Sequence, residues 1–207
     1  NNIESLFSIQ HQLTGNPWGS GNQKNPDRGP ANLQTSEASM WELYTPSRDV
    51  IEEYESGDLR RKGSIMEHGW ENLAWKPKNS NAAYNSFMAV GCKQWNRHHL
   101  GGRGAKKKGR GQVQHLEGGM NTGINTMMLR YADILLIYAE SVLGSSASTS
   151  DATALAAINK VRTRAGLNTL TSITMDDILH ERRVEFAFEG DYWFDIQRQG
   201  FAKAKQI

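Results

Sequence analysis

From residue 125 to the end, apolar positions return every three or four residues, the period of a helix with one buried face. Met128, Tyr131, Leu135, Tyr138 and Val142 form the first such stripe, with Ala132, Ile134 and Ala139 beside it. Gly144 and the Ser/Thr-rich run Ser145 to Ser150 end that helix. Asp151 is placed to cap a second helix, whose stripe is Leu155, Ile158, Val161 and Ala165 and whose stop is Gly166. Thr174-Met175-Asp176-Asp177 has the form of a capping box and opens a third helix along Ile178, Leu179, Arg182 and Phe186, until Gly190. Asp191 starts a fourth, short helix that ends at Gly200. Two antiparallel helices on a short loop, followed by more of the same, predict a stack of αα-hairpins like tetratricopeptide repeats.

Before residue 125 the pattern is different. Phe7, Ile9 and His11 alternate with Ser8, Gln10 and Gln12, which predicts a strand at the outset. Asn, Pro and Gly dominate residues 14–32 and predict a long loop. Asp49 to Tyr54 reads as a short helix and Ser86 to Val90 as a short strand. Sixteen of the 20 glycines and five of the six tryptophans fall in this half. The expected fold is therefore mainly α with irregular loops and a little β. It divides into a loop-rich, Trp-bearing part over residues 1–124 and a helical part over 125–207.

Charge and length narrow the functions. Lys and Arg number 24 against 22 Asp and Glu, a balance that gives no whole-chain attraction to nucleic acid or acidic membranes. The longest apolar run, Ile134 to Ala139, is far short of the roughly 18 to 20 residues of a membrane span. A single cysteine, Cys92, excludes an internal disulfide and a Cys-rich zinc site. The opening Asn1-Asn2-Ile3 carries no initiating methionine or signal, and the sequence reads as a segment of something longer.

Candidate chemistry is sparse. Glu181 and Glu185 share a helix face at i, i+4, whereas a glycosidase needs carboxyls facing each other across a bond, about 5 to 9.5 Å apart and usually from separate elements. Arg182 beside them predicts structural ion pairing with Glu185 or with acids a turn away. His98 and His99 are adjacent and so point apart, His68 and His115 are isolated, and Cys92 has no histidine at a useful spacing. The Gly- and Lys-rich run from Gly101 to Gly111 lacks interleaved aromatics and reads as a solvated hairpin tip or mobile loop. No catalytic residue, metal or cofactor is expected. The loop aromatics remain: a tryptophan ring offers a stacking face to the polarised C–H bonds of a sugar, and Asn and Arg nearby hydrogen-bond its hydroxyls. Trp18, Trp41, Trp70 and Trp75, with Asn16 and Arg28, are the expected ligand-binding residues; Trp95 and Tyr84 are further aromatics of the same region.

Three runs in the helical part carry a resemblance: Leu129 to Ser141, Ala157 to Leu167, and Ile178 to Gly190, the last followed by Trp193-Phe194-Asp195. In order and spacing they resemble the SusD/RagB family of nutrient-binding proteins, and Leu6 to Gln10 and Asp49 to Arg61 resemble earlier landmarks of it more loosely. The resemblance implies a non-enzymatic lipoprotein on the surface of a Bacteroidetes outer membrane. It further implies tetratricopeptide-like helices with a loop-rich ligand site, and a SusC-type TonB-dependent transporter as partner. The membrane would be reached only through an N-terminal lipid anchor outside this chain. A glycan is the expected ligand, with a peptide as the alternative and a glycosidase using Glu181 and Glu185 as a remote one. His180, Glu181, Arg182, Glu185, Glu189 and Asp195 are expected to be structural. One departure stands out: Asp191-Tyr192 follow Gly190 where the family usually has a basic pair.

Overall fold

A computed structural model describes residues 4–11, 43–66, 90–91 and 125–205. The chain divides into two compact units. One takes in Asn1–Phe7, Arg48–Arg61 and Met127–Ile207, the other Ser8–Ser47 and Lys62–Thr126.

The first unit is helical. Helix α3 (Tyr131–Leu143) and helix α4 (Ala152–Arg164) run antiparallel, since Tyr138 Oη meets Thr153 Oγ1 at 3.0 Å while Lys160 Nζ meets Tyr131 Oη at 3.2 Å. Between them and α5 (Met175–Glu185) lies one core, built from Ala132, Leu136, Ala139 and Leu143 of α3, Ala154, Ala157, Ile158 and Val161 of α4, and Ile173, Ile178 and Phe186. Helix α6 (Tyr192–Arg198) and the single turn α7 (Phe201–Ala204) follow, with Ile196 buried. Two short helices come earlier in the chain, α1 (Arg48–Glu52) and α2 (Leu59–Ser64).

Local chemistry sets the helix ends. The Asp151 carboxylate accepts from the backbone N–H of Thr153 at 2.8 Å and Ala154 at 3.1 Å. This satisfies donors that the first turn of α4 leaves open, and the Thr153 hydroxyl, which also donates to Asp151, together with these backbone bonds holds the carboxyl below its ordinary pKa. At α5 the expected capping box is formed reciprocally between Thr174 and Asp177. Gly166, just past α4, takes φ +81°, and a Cβ there would lie 3.1 Å from the Leu59 side chain. The positive φ favours glycine and the Leu59 side chain would have to shift for any larger residue, while the Leu59 N–H donates to the Ala165 carbonyl at 2.9 Å in the same place.

Two expectations need correction. The segment just before α3 is a strand, β4 (Thr126–Arg130), which pairs with β1 (Ser5–Ile9) in a two-stranded sheet. Met128 therefore belongs to no helix, because pairing with a distant strand overrides the local period. Within α3 the buried stripe is Ala132, Leu136, Ala139 and Leu143, while Tyr131 and Tyr138 are exposed and Leu135 and Val142 sit at the edge. Both stripes have helical spacing. The two alanines decide between them, because small side chains let α3 approach α4 closely.

Elsewhere the expected elements appear with shifted edges. Strand β1 forms, yet Leu6, Phe7 and Ile9 are all largely exposed instead of alternating. The short helix expected over Asp49–Tyr54 is α1. In the second unit, β2 (Ile65–Met66) pairs antiparallel with β3 (Val90–Gly91), Ile65 opposite Gly91. Residues 86–89 of the expected strand lie outside the described residues. No helix among the described residues is long and apolar enough to cross a membrane.

The two stripes make opposite forecasts. Leu136→Ala is expected to lower the unfolding free energy by about 2–5 kcal/mol, and Leu135→Ala by clearly less. Urea unfolding followed by circular dichroism measures both, and the reverse order would restore the Leu135 stripe.

Candidate functional site

Glu181 and Glu185, the acids that sequence singled out on α5, are among the best-buried charges of the described residues. Glu181 is fully buried and Glu185 nearly so. A carboxylate withdrawn from water persists only if cations and hydrogen bonds replace its hydration. Four arginines do so. Glu181 accepts from Arg60 Nη1 at 2.5 Å and from Arg162 Nη1 at 3.0 Å. Glu185 accepts from Arg130 Nη1 and Arg164 Nη2, each at 2.5 Å, and from Arg60 Nη1 at 3.2 Å. One nitrogen of Arg60 thus bridges both glutamates.

Outer acids complete the cluster. Asp58 takes the Nε and Nη2 of Arg60, Glu55 takes Arg162 at 2.7 Å, and Glu4 takes Arg164 at 2.7 Å. Phe188 adopts φ +66°, a turn that directs the chain so that Glu189 reaches Arg130 at 2.8 Å, while the Glu185 carbonyl accepts from Arg130 Nη2 at 2.7 Å. Burial alone would weaken the hold of Arg130 on its proton. The charges of Glu185 and Glu189 outweigh it and keep the group above its ordinary pKa. Arg60 follows the same logic, with Asp58 and Glu181 overcoming its burial. Beneath the cluster, the guanidiniums of Arg130 and Arg182 lie 4.4 and 5.0 Å from the centre of the Phe186 ring.

A second set runs beside it. Arg182 donates to Asp133 at 2.9 Å and to both oxygens of Asp195 at 2.8 Å, and Arg198 joins Asp195 to Glu140. Arg182 therefore pairs across elements and not with Glu185 or an acid one turn away, because its neighbours on α5 are already taken by other arginines. Asp191 stands at the N-terminus of α6 without making a side-chain cap. Burial, and then the charges of Asp133 and Glu189, push its carboxyl above the ordinary value, with Arg182 opposing.

Between α5, α6 and the end of α1 is an open hollow of about 280 Å³, lined in part by Glu53, Asp176, His180, Arg183 and Tyr192. Its polar groups already serve one another. His180 Nδ1 lies 2.8 Å from Glu53, Arg183 donates to Glu53 at 3.0 Å and also pairs with Asp49, and its guanidinium lies 4.7 Å from the centre of the Tyr192 ring. The Nε of Arg183 is buried without a partner. No group of His, Cys, Asp and Glu suited to a metal occurs among the described residues.

Trp18, Trp41, Trp70, Trp75, Asn16 and Arg28 lie outside the described residues, as do Tyr84, Cys92, Trp95, the run 101–111 and the histidines at 68, 98, 99 and 115. Glu181, Arg182, Glu185, Glu189 and Asp195 all take part in the ion pairs, and His180 lies at hydrogen-bond distance from Glu53. What sequence reasoning missed is their partners. Arg60 and Arg162 meet Glu181 from 121 and 19 residues away, and no local spacing announces such a meeting.

Comparison with known proteins places these features in a wider set. Residues 9–206 match the model of the SusD family. A SusD-like protein of Bacteroides ovatus is 34% identical over 206 residues, covering 95% of this chain and 34% of its own length. SusD-like protein P2 of Formosa agariphila is 28% identical over 183 residues, 83% of this chain and 34% of its own length. A crystal structure with xylogluco-oligosaccharide superposes with a TM-score of 0.75 at 32% identity, over 94% of this chain and 38% of that one. The chain thus spans about a third of the length of the relatives it matches.

Glu181→Gln and Glu185→Gln keep shape and remove charge, leaving buried guanidiniums uncompensated. Each is expected to cost about 3–5 kcal/mol of stability in urea unfolding; a loss below 1 kcal/mol would mean that these pairs do not hold the unit together.

Asp191 yields a pH forecast of known sign. At low pH its carboxyl is protonated both folded and unfolded and adds nothing. Above about pH 3.9 the unfolded chain ionises first, so stability falls until the folded carboxyl ionises too, and the deficit persists at higher pH. Asp191→Asn is therefore expected to raise the urea midpoint at pH 7 and to leave it unchanged well below pH 3.9. A lower midpoint at pH 7 would show that the carboxylate stabilises instead.

Proposed function

Because the chain belongs to the SusD family, we propose that it forms part of a protein that captures glycans at the cell surface and passes them on unaltered. The observation that carries this reading is the relative solved with a xylogluco-oligosaccharide, whose likeness extends over nearly the whole chain. The proposed contacts are Trp18, Trp41, Trp70 and Trp75, flanked by Asn16 and Arg28. Flat indole faces accept sugar C–H bonds at low entropic cost, and amide and guanidinium groups fix the hydroxyls. The loop-rich composition of residues 1–124 supports a binding face there, since long loops that carry tryptophans are more often functional than idle.

The ion pairs of α5 support a role without catalysis. A general acid needs a proton to give and a nucleophile needs a free lone pair aimed at the sugar. The carboxylates of Glu181 and Glu185 are buried and turned toward arginines, and this favours a scaffold role. We further propose an outer-membrane location through a lipid anchor and delivery to a SusC-type TonB-dependent transporter, both on the strength of family membership.

Affinity electrophoresis of the full-length protein through gels with xyloglucan, laminarin and other polysaccharides tests the reading. Retardation by one glycan is expected. It should weaken when that protein carries Trp18→Ala, Trp41→Ala, Trp70→Ala or Trp75→Ala at a contact position, with no release of reducing ends. Binding of peptide digests without binding of any glycan would select the peptide alternative instead.

A further inference from the structure

His180 stands between two carboxylates that belong to one short stretch of chain. Its Nδ1 lies 2.8 Å from Glu53 and its Nε2 3.6 Å from Glu55. Both glutamates sit on the segment Arg48–Glu55, made of α1 and the turn after it, in which only Tyr54 is buried. With so little apolar burial, the segment depends on charge to stay against α5. Arg183 of α5 pairs with Asp49 and Glu53, Arg162 of α4 pairs with Glu55, and His180 meets both glutamates. These three partners differ in one respect. A guanidinium stays charged at any pH a protein meets, whereas an imidazole gains or loses its proton between about pH 5 and 8.

A neutral imidazole carries one N–H. Donation from Nδ1 to Glu53 leaves the Nε2 lone pair facing the Glu55 carboxylate, and the other tautomer reverses the mismatch. An imidazolium carries an N–H on both nitrogens and serves both acids. We propose that His180 is a proton-operated clasp: on taking up a proton it fastens Arg48–Glu55 to α5 through both glutamates, and on losing it lets one of them go. The surrounding groups leave room for that charge. Asp49, Glu53, Glu55 and Asp176 supply four carboxylates, while Arg183 and Arg162 oppose the proton but are engaged with Asp49, Glu53 and Glu55. From α6, Asp195 is taken by Arg182 and Arg198, and Tyr192 stays neutral because burial raises its pKa. The docked segment thus binds a proton that the released one holds less tightly. Docking strengthens as pH falls through the imidazole range near about 6.5 and weakens as pH rises through it. In sequence the segment lies between Ser8–Ser47 and Lys62–Thr126, the two parts of the other unit, so the clasp sets how firmly this connecting stretch is held to the helices.

Hydrogen exchange of the full-length protein, read by mass spectrometry over residues 49–55 and corrected for the intrinsic rate at each pH, tests this. Protection several-fold greater at pH 5.5 than at pH 8 is expected. The difference should vanish in His180→Gln, with protection of α4 the same in both proteins. Equal protection at the two pH values would overturn the proposal, as would a difference that survives in His180→Gln. Glu55→Gln is the second variant: it leaves only Glu53, which a neutral imidazole serves, while Arg162 keeps Glu181. The pH difference is expected to shrink there, and a difference of full size would also overturn the clasp. Neither readout involves a glycan, so failure here leaves the binding reading untouched.

Discussion

Two carboxylates buried side by side on one helix govern the architecture of the helical unit. Glu181 and Glu185 have left water, and each remaining lone pair must meet a donor or the unit loses several kcal/mol. The four donors come from three separate places: Arg60 beyond the first short helix, Arg130 at the end of β4, and Arg162 and Arg164 on α4. A segment more than a hundred residues away in sequence is thus tied to α5 through charge. Ion pairs of this kind add little net stability over a hydrophobic substitute, but they penalise any arrangement that leaves one member alone. They specify the fold more than they strengthen it.

All four carboxylate oxygens of Glu181 and Glu185 face guanidinium donors. Raised arginine pKa values make the same point from the other side: the cations are held charged by their carboxylates in spite of burial. Asp191 makes no side-chain cap, and burial followed by the charges of Asp133 and Glu189 pushes it toward its neutral form.

Much of the helical unit was legible in its sequence. Helix ends were plain because caps are local: Asp151, the Thr174–Asp177 box and Gly166 each act within a few residues. The identity of structural charges was also legible, since acids and arginines at helical spacing on an otherwise apolar helix imply pairing. Which partners they choose was not, because contacts such as Arg60 to Glu181 depend on topology. Strand β4 was missed for the same reason, its partner β1 lying far away along the chain. The glycan contacts expected at Trp18, Trp41, Trp70 and Trp75 rest on residue chemistry alone.

The misplaced stripe on α3 carries information of its own. A helix with one buried face gives one periodic signal, and its phase can be read without ambiguity. Helix α3 gives two overlapping signals, one through Ala132, Leu136, Ala139 and Leu143 and one through Tyr131, Ile134 and Tyr138. The second is bulkier and so dominates a sequence reading, yet the first is the one that packs on α4, because alanine permits close approach. Bulk alone therefore misplaces the phase: Tyr131, Ile134 and Tyr138 outweigh the two alanines in size, while the alanines mark where α3 and α4 meet most closely.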